Sequence, residues 1–120
     1  VSATVINTWL DSVFATANCY FKLHTGDPGA AGATLAAVGD ATRKQLTMAA
    51  AAAGSKAMTG TGGPWTNAAT TETLSHGSVW SAAAAGTFNA SATLTAPQAW
   101  VASNTFTLTS FTVSVSPVAA

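Results

Sequence analysis

Charge is what this sequence has least of. Four basic and four acidic side chains among 120 residues give a formal net charge of zero, and charged residues make up 7% of the chain, against about 25% in an average globular protein. A freely dissolved monomer keeps more charge on its surface to stay apart from its neighbours. A chain that is 48% hydrophobic and so nearly uncharged satisfies much of its surface by contact, as a subunit of an assembly. The alternative is an extracellular domain that uses Ser and Thr hydroxyls for solubility. The cations Lys22, Arg43, Lys44 and Lys56 are scattered, so no phosphate-neutralising patch forms and nucleic acid is not an expected partner.

Other absences narrow the field. A single cysteine, Cys19, excludes an internal disulfide and the usual cysteine-based zinc sites. No run approaches the ~20 apolar residues of a membrane helix, so no membrane partner is expected. The N-terminus lacks a charged leader followed by an apolar stretch and a small-residue cleavage site, so no signal peptide is expected. The glycine-containing stretches Gly26–Gly32 and Gly60–Gly63 lack the Lys-Ser/Thr pair and the strand–helix context of a phosphate loop. They are turn chemistry, and no cofactor is expected.

The first segment that is present, Ala3 to Ala15, has the period of a helix. Val5, Ile6, Trp9, Leu10, Val13 and Phe14 recur at spacings of three and four and form one apolar stripe. Asn7, Thr8, Asp11 and Ser12 form the other face. Ser2 or Thr4 is placed to cap the start, and Asn18 to stop it. So short and partly β-branched a helix is not stable alone and must pack on something.

After Asn18 the period changes from 3.6 to 2. Cys19, Phe21, Leu23 and Thr25 alternate with Tyr20, Lys22 and His24, as in a strand with one buried face. Gly26-Asp-Pro-Gly29 breaks the pattern, and a loop is expected from there to about Asp40. A second strand is expected over Arg43 to Ala50, with Leu46 and Met48 on one face, and the alanines 49–53 are read as strand although their helix propensity is high. Gly60 to Pro64 reads as a turn cluster, after which Trp65 opens a short strand. Thr71 to Ser81 is a further strand, with Leu74, His76, Ser78 and Trp80 on one face, and Gly77 marks a bulge in it. Ala82 to Gly86 forms a turn. Phe88, Ala90, Ala92 and Leu94 alternate cleanly in a strand that Pro97 ends. The last strand, Thr105 to Ser116, carries apolar residues of both parities. Either a bulge near Thr109 and Ser110 restores its register, or it is a central strand with both faces covered.

Short strands between Gly/Pro/Asn turns, with no helices to make parallel crossovers, predict an all-β protein: an antiparallel, jelly-roll-like β-sandwich with one short N-terminal α-helix. One domain is expected over residues 1–120, with the helix in 1–17 and the sandwich in 18–120. A domain of this size buries about two-thirds of the surface its unfolded chain exposes.

Candidate chemistry is sparse. His24 with Asp27, or His76 with Glu72, could pair as acid and base or hold a metal. The simpler reading is that Asp27 closes its turn through backbone bonds and both histidines bond locally. Cys19 falls on the apolar face with Phe21 and Leu23, as an inert buried thiol does. Trp65, Trp80 and Trp100 with Tyr20 would serve either as core or interface anchors or as a platform for sugar. Asn89-Ala-Ser91 fits a glycosylation pattern, and here marks a turn. No nucleophile–base–orienter set is visible, so no catalysis is expected.

The string Leu23-His-Thr-Gly-Asp-Pro-Gly29 resembles the opening strand and loop of a family of small actinobacteriophage structural proteins. Its members are labelled tail fibre-like, minor tail or head-decoration proteins. The likeness continues through Arg43-Lys44, Trp65-Thr-Asn67, Glu72-Thr-Leu-Ser-His76, Ser78-Val-Trp80-Ser81, Gly86-Thr-Phe88, Leu94-Thr-Ala-Pro97 and the strand containing Phe106. The resemblance implies a virion component with no catalytic residues, an accessory or decoration subunit on the capsid or tail. Its partners would be other virion proteins and further copies of itself. In such an assembly Val5, Trp9, Leu10 and Val13 are the candidate docking or core-capping stripe. A glycan-binding module at a fibre tip is the alternative.

Overall fold

A computed structural model describes residues 2–115. The last residue of the expected final strand, Ser116, and the outermost parts of the expected 1–120 domain lie outside the described residues.

Helix α1 spans Ala3–Val13 and is followed by a 3-10 turn at Thr16–Asn18. Ser2 caps α1, its hydroxyl accepting from Val5 N at 3.3 Å. Asn18 acts at the other end by donating its amide to the Ser12 carbonyl at 3.3 Å. Among the described residues eight strands follow: β1 (Tyr20–His24), β2 (Lys44–Gln45), β3 (Ser55–Ala57), β4 (Gly62–Thr66), β5 (Glu72–Trp80), β6 (Phe88–Trp100), β7 (Thr105–Leu108) and β8 (Thr112–Ser114).

One layer is a four-stranded sheet in the order β2-β1-β5-β6, antiparallel at every pairing. The other is a ribbon in which the chain from β3 to β4 runs antiparallel to the chain from β7 to β8. Between the two strand pairs, Met58 N donates to Phe111 O at 2.8 Å and carries the ladder across the gap. The layers meet on Phe21 of β1, whose ring stands edge-on to Trp65 at 5.9 Å and to Phe111 at 5.7 Å. Leu23, Leu46, Trp65, Leu74 and Val79 are completely buried around it. The protein is an antiparallel β-sandwich with one short helix, as the change of period at Asn18 predicts.

Local expectations fare unevenly. In β5 the expected bulge at Gly77 is displaced: the register shifts lie on either side of it, between Leu74 and His76 and between Val79 and Trp80. Gly77 serves a different purpose, because a side-chain carbon there would overlap the Phe21 ring. Pro97 does not end β6, which continues to Trp100. Leu74 pairs with Gln98 and His76 with Thr93, so β6 carries extra residues between these pairs, and Pro97 sits in that unpaired excursion where a missing N–H breaks no ladder bond.

The final strand is two strands. β7 pairs with β4 and β8 with β3, and the break at residues 109–111 absorbs the parity change that the sequence located there. The expected second strand shrinks to β2, because the chain then leaves the first sheet, and Met48 bridges to Met58 in the other layer. The alanines 49–53 are not a strand. Ala52 and Ser55 exchange backbone bonds around Ala53 and Gly54, both at positive φ (52° and 80°), the geometry of a tight hairpin turn. Gly62, Gly63 and Pro64 belong to β4 rather than to a turn, with a register irregularity before Trp65.

Candidate functional site

The helix stripe is divided by how α1 docks. Ile6, Leu10 and Phe14 point into the core. The polar face is also tethered. Asn7 Oδ1 accepts from Gly54 N at 2.9 Å, and Asp11 Oδ1 accepts from Ala51 N at 2.9 Å and from Lys56 Nζ at 2.7 Å. Held on both of these sides, the helix turns Val5 and Trp9 outward, 58% and 53% exposed. Val13 is half-buried and packs against the core. Of the four stripe residues, Leu10 is therefore internal, while Val5 and Trp9 are available to a partner.

Two parts of the sequence likeness meet at His24. Its Nδ1 lies 2.9 Å from the Thr34 carbonyl, and its Nε2 lies 2.7 Å from Ser78 Oγ. Trp80 Nε1 donates to the same Oγ at 2.8 Å. A carbonyl can only accept, so Nδ1 carries the proton, Nε2 accepts from the Ser78 hydroxyl, and that hydroxyl accepts from Trp80. Every site in the chain of bonds is filled by the neutral imidazole. Burial pushes the His24 pKa below its ordinary value, outweighing the Thr34 bond that raises it. In outline this is a nucleophile, a base and an orienting carbonyl. Both side chains are wholly buried, however, and the hydroxyl is already engaged by Trp80. What the arrangement does is fasten the loop after β1 to the β1–β5 pair. Sequence reasoning missed it because positions 24 and 78 are joined only by the cross-strand register.

The other candidates resolve into local bonds. Asp27 Oδ1 accepts from Gly29 N at 2.9 Å and closes its turn; the ring nitrogens of His24 bond elsewhere. His76, the cross-strand neighbour of His24, bonds Ser75 Oγ through Nδ1 at 2.8 Å. Glu72 accepts from Val38 N at 2.8 Å, from Gly39 N at 2.9 Å and from the Thr70 hydroxyl at 2.9 Å. Burial raises its pKa, but these donors outweigh burial and the net shift is downward. Cys19 is fully buried, and burial pushes its thiol up to about 11, which leaves it almost entirely protonated at neutral pH. Among the described residues no group of three His, Cys, Asp or Glu side chains could hold a metal ion. None of their helices is long and apolar enough to cross a membrane.

The tryptophans do not form a shared platform. Trp65 is buried with its Nε1 donating to the Thr42 carbonyl at 3.0 Å, and Trp100 is 2% exposed. Trp80 lies beneath the Arg43 guanidinium, 3.7 Å from its ring centre.

The distribution of charge is not visible from composition alone. All the Asp, Glu, Lys and Arg side chains lie at or before Glu72, and none follows it. Most of them bond inside the fold. Besides Asp11, Lys56, Asp27 and Glu72, Asp40 holds Thr42 and Thr66, and Arg43 donates to the carbonyls of Ala82 and Ala85. The charges pin loops, and the surface built from β6 to β8 carries none. That surface includes a groove of about 440 Å³ between residues 92–98 of β6 and 105–111 of the opposite layer, with Leu94, Phe106 and Phe111 among threonines.

No curated protein matches the chain. Residues 1–116 match the family described as podophage GP4 fiber I protein gp80, and the chain therefore belongs to this family of phage fibre proteins and is a component of the virion.

Proposed function

We propose that this chain is a non-catalytic structural subunit of the phage tail fibre, attached to other virion proteins through the exposed Val5–Trp9 face of α1 and associated with further copies of itself. The observation that carries this reading is the use of charge. Asp11, Asp27, Asp40, Arg43, Lys56 and Glu72 are engaged in internal bonds, and the surface beyond Glu72 has no charge to hold neighbours away. Two large apolar side chains standing out from one helix turn are the kind of anchor that carries binding energy at an interface. The strings that resemble actinobacteriophage proteins support the same role, since their residues lock a loop to a sheet instead of lining an accessible site.

A glycan-binding tip would need exposed aromatic rings set together, and Trp65 and Trp100 are in the core. The test is incorporation. Val5→Asp with Trp9→Asp changes two exposed side chains; because Trp9 also stands edge-on to Phe14 at 6.4 Å, Val5→Asp alone is the companion change that leaves that contact in place. The copies of the variant found per virion are expected to fall by at least about tenfold, with the circular dichroism spectrum of the purified chain unchanged. Wild-type incorporation would overturn the docking role.

A further inference from the structure

Among the described residues the order β2-β1-β5-β6 leaves β6 with one partner, β5, and a free outer edge. Thirteen residues long and without a charged side chain, it lacks the lysines that usually protect such an edge; the excursion around Pro97 and one extra residue, Asn89, between the pairs Val79–Ala90 and Trp80–Phe88 interrupt its regularity. Between these two irregularities the stretch from Ala90 to Thr93 keeps a continuous register with β5, and its outer edge is an unpaired row of backbone donors and acceptors. Across the groove lies a second free edge: β7 pairs only with β4. A closed sandwich would join β6 to β7 at this place; here the seam is open, with Leu94 and Phe106 half-buried at its mouth.

We infer that the β6 edge is where a second copy of this chain docks, its own β6 lying antiparallel beside this one across a two-fold axis and covering the seam. An unpaired backbone row is satisfied by another extended backbone, which favours a strand over a sugar. Pairing like with like requires a surface that does not repel itself, and this edge is uncharged along its whole length. The axis would place the same residues on both sides of the contact and make one eight-stranded sheet from two four-stranded ones. The inference rests on the proposal that the chain associates with itself, and it names the edge used.

Ser91 and Thr93 are exposed, so Ser91→Lys with Thr93→Lys brings charge to the edge without touching the core. Sedimentation of the full chain is expected to show a dimer or larger species for wild type. The dissociation constant should rise at least about tenfold in the lysine variant and stay unchanged for Ala57→Lys, an exposed change on β3. A wild-type oligomer that the edge lysines do not weaken would overturn the edge and leave self-association standing; a wild-type monomer at every concentration would overturn both. Should the lysine variant fail to fold, hydrogen exchange on wild type decides. The outward amides within 90–93 should gain protection as concentration rises, and their remaining open in the oligomer would refute the inference.

Discussion

The two ends of the four-stranded sheet are finished in opposite ways. At one end β2 is only two residues long, and the chain on either side of it is bound to the rest of the fold. Arg43 reaches the carbonyls of Ala82 and Ala85 and covers Trp80, while Met48 has already crossed to the other layer. At the other end β6 runs for thirteen residues with no charge and, among the described residues, no strand beyond it. Charge is placed where long loops must be held, by Glu72 on Val38 and Gly39 and by Asp40 on Thr66. It is missing where a neighbour would have to approach. For a fibre subunit this separates two tasks that most soluble proteins give to the same residues: keeping the fold and keeping others off.

The comparison can be broken most forcefully at the joint both ends share. Phe21→Ala removes the ring that touches Trp65, Phe111 and Gly77 and should destabilise the fold by about 3–5 kcal/mol, read from urea unfolding. A loss below about 1 kcal/mol would show that the layers are held elsewhere. Next in size is the pinned end. Glu72→Ala leaves the backbone amides of Val38 and Gly39 without their acceptor, while the Thr70 hydroxyl keeps Asn67 Oδ1 in reach, and should cost about 1–2 kcal/mol.

Acidity acts on the pinned end in a definite direction. The net pKa shifts of Glu72 and Asp40 are downward although burial alone would raise both, because donors to their carboxylates prevail. Their contribution is complete above the unfolded-state values and is lost as pH falls through the lower folded-state ones. His24 is also shifted downward from 6.5, by burial first. Its neutral form is the one that fits, so the stability it contributes is present above pH 6.5 and declines as pH falls below that. The melting temperature should therefore drop between pH 7 and pH 5, and the drop should be shallower in His24→Gln. Equal slopes would mean that the His24–Ser78–Trp80 bonds carry no titrating role. The smallest effect on stability belongs to the open end: Ser91→Lys should shift unfolding by no more than about 0.5 kcal/mol, because its influence is on association.

How much of this was legible in the sequence depended on whether the physics was local. β1 was legible from the alternation of buried Phe21 and Leu23 with Tyr20 and Lys22; β5 was legible as a strand, but not its burial, since Gly77, Ser78 and Val79 are buried in succession. The helix was legible from its 3.6 period, but not the direction it faces: Asn7 and Asp11 look like a solvent face until the hairpin at Ala51 and Gly54 comes to meet them. Pro97 was misread because a proline normally ends a strand, and the excursion that accommodates it depends on the register with Leu74 and His76. The parity change after Leu108 was visible, yet its meaning, a strand passing from one partner to another, was set by β3 and β4 far earlier in the chain. The bonds of His24 lay wholly outside local pattern. The motif containing it was noticed as a likeness, and only the pairing of β1 with β5 explains why Ser78 and Trp80 accompany it.

The most direct measurement is a reconstruction of the fibre in an intact particle, with this chain placed in its density. The account predicts that β6 and the Val5–Trp9 turn of α1 are covered by neighbouring chains while the charged loops around Asp40 and Glu72 remain at the periphery. Density showing the β6 side bare to solvent, with the charged loops buried between subunits, would contradict it.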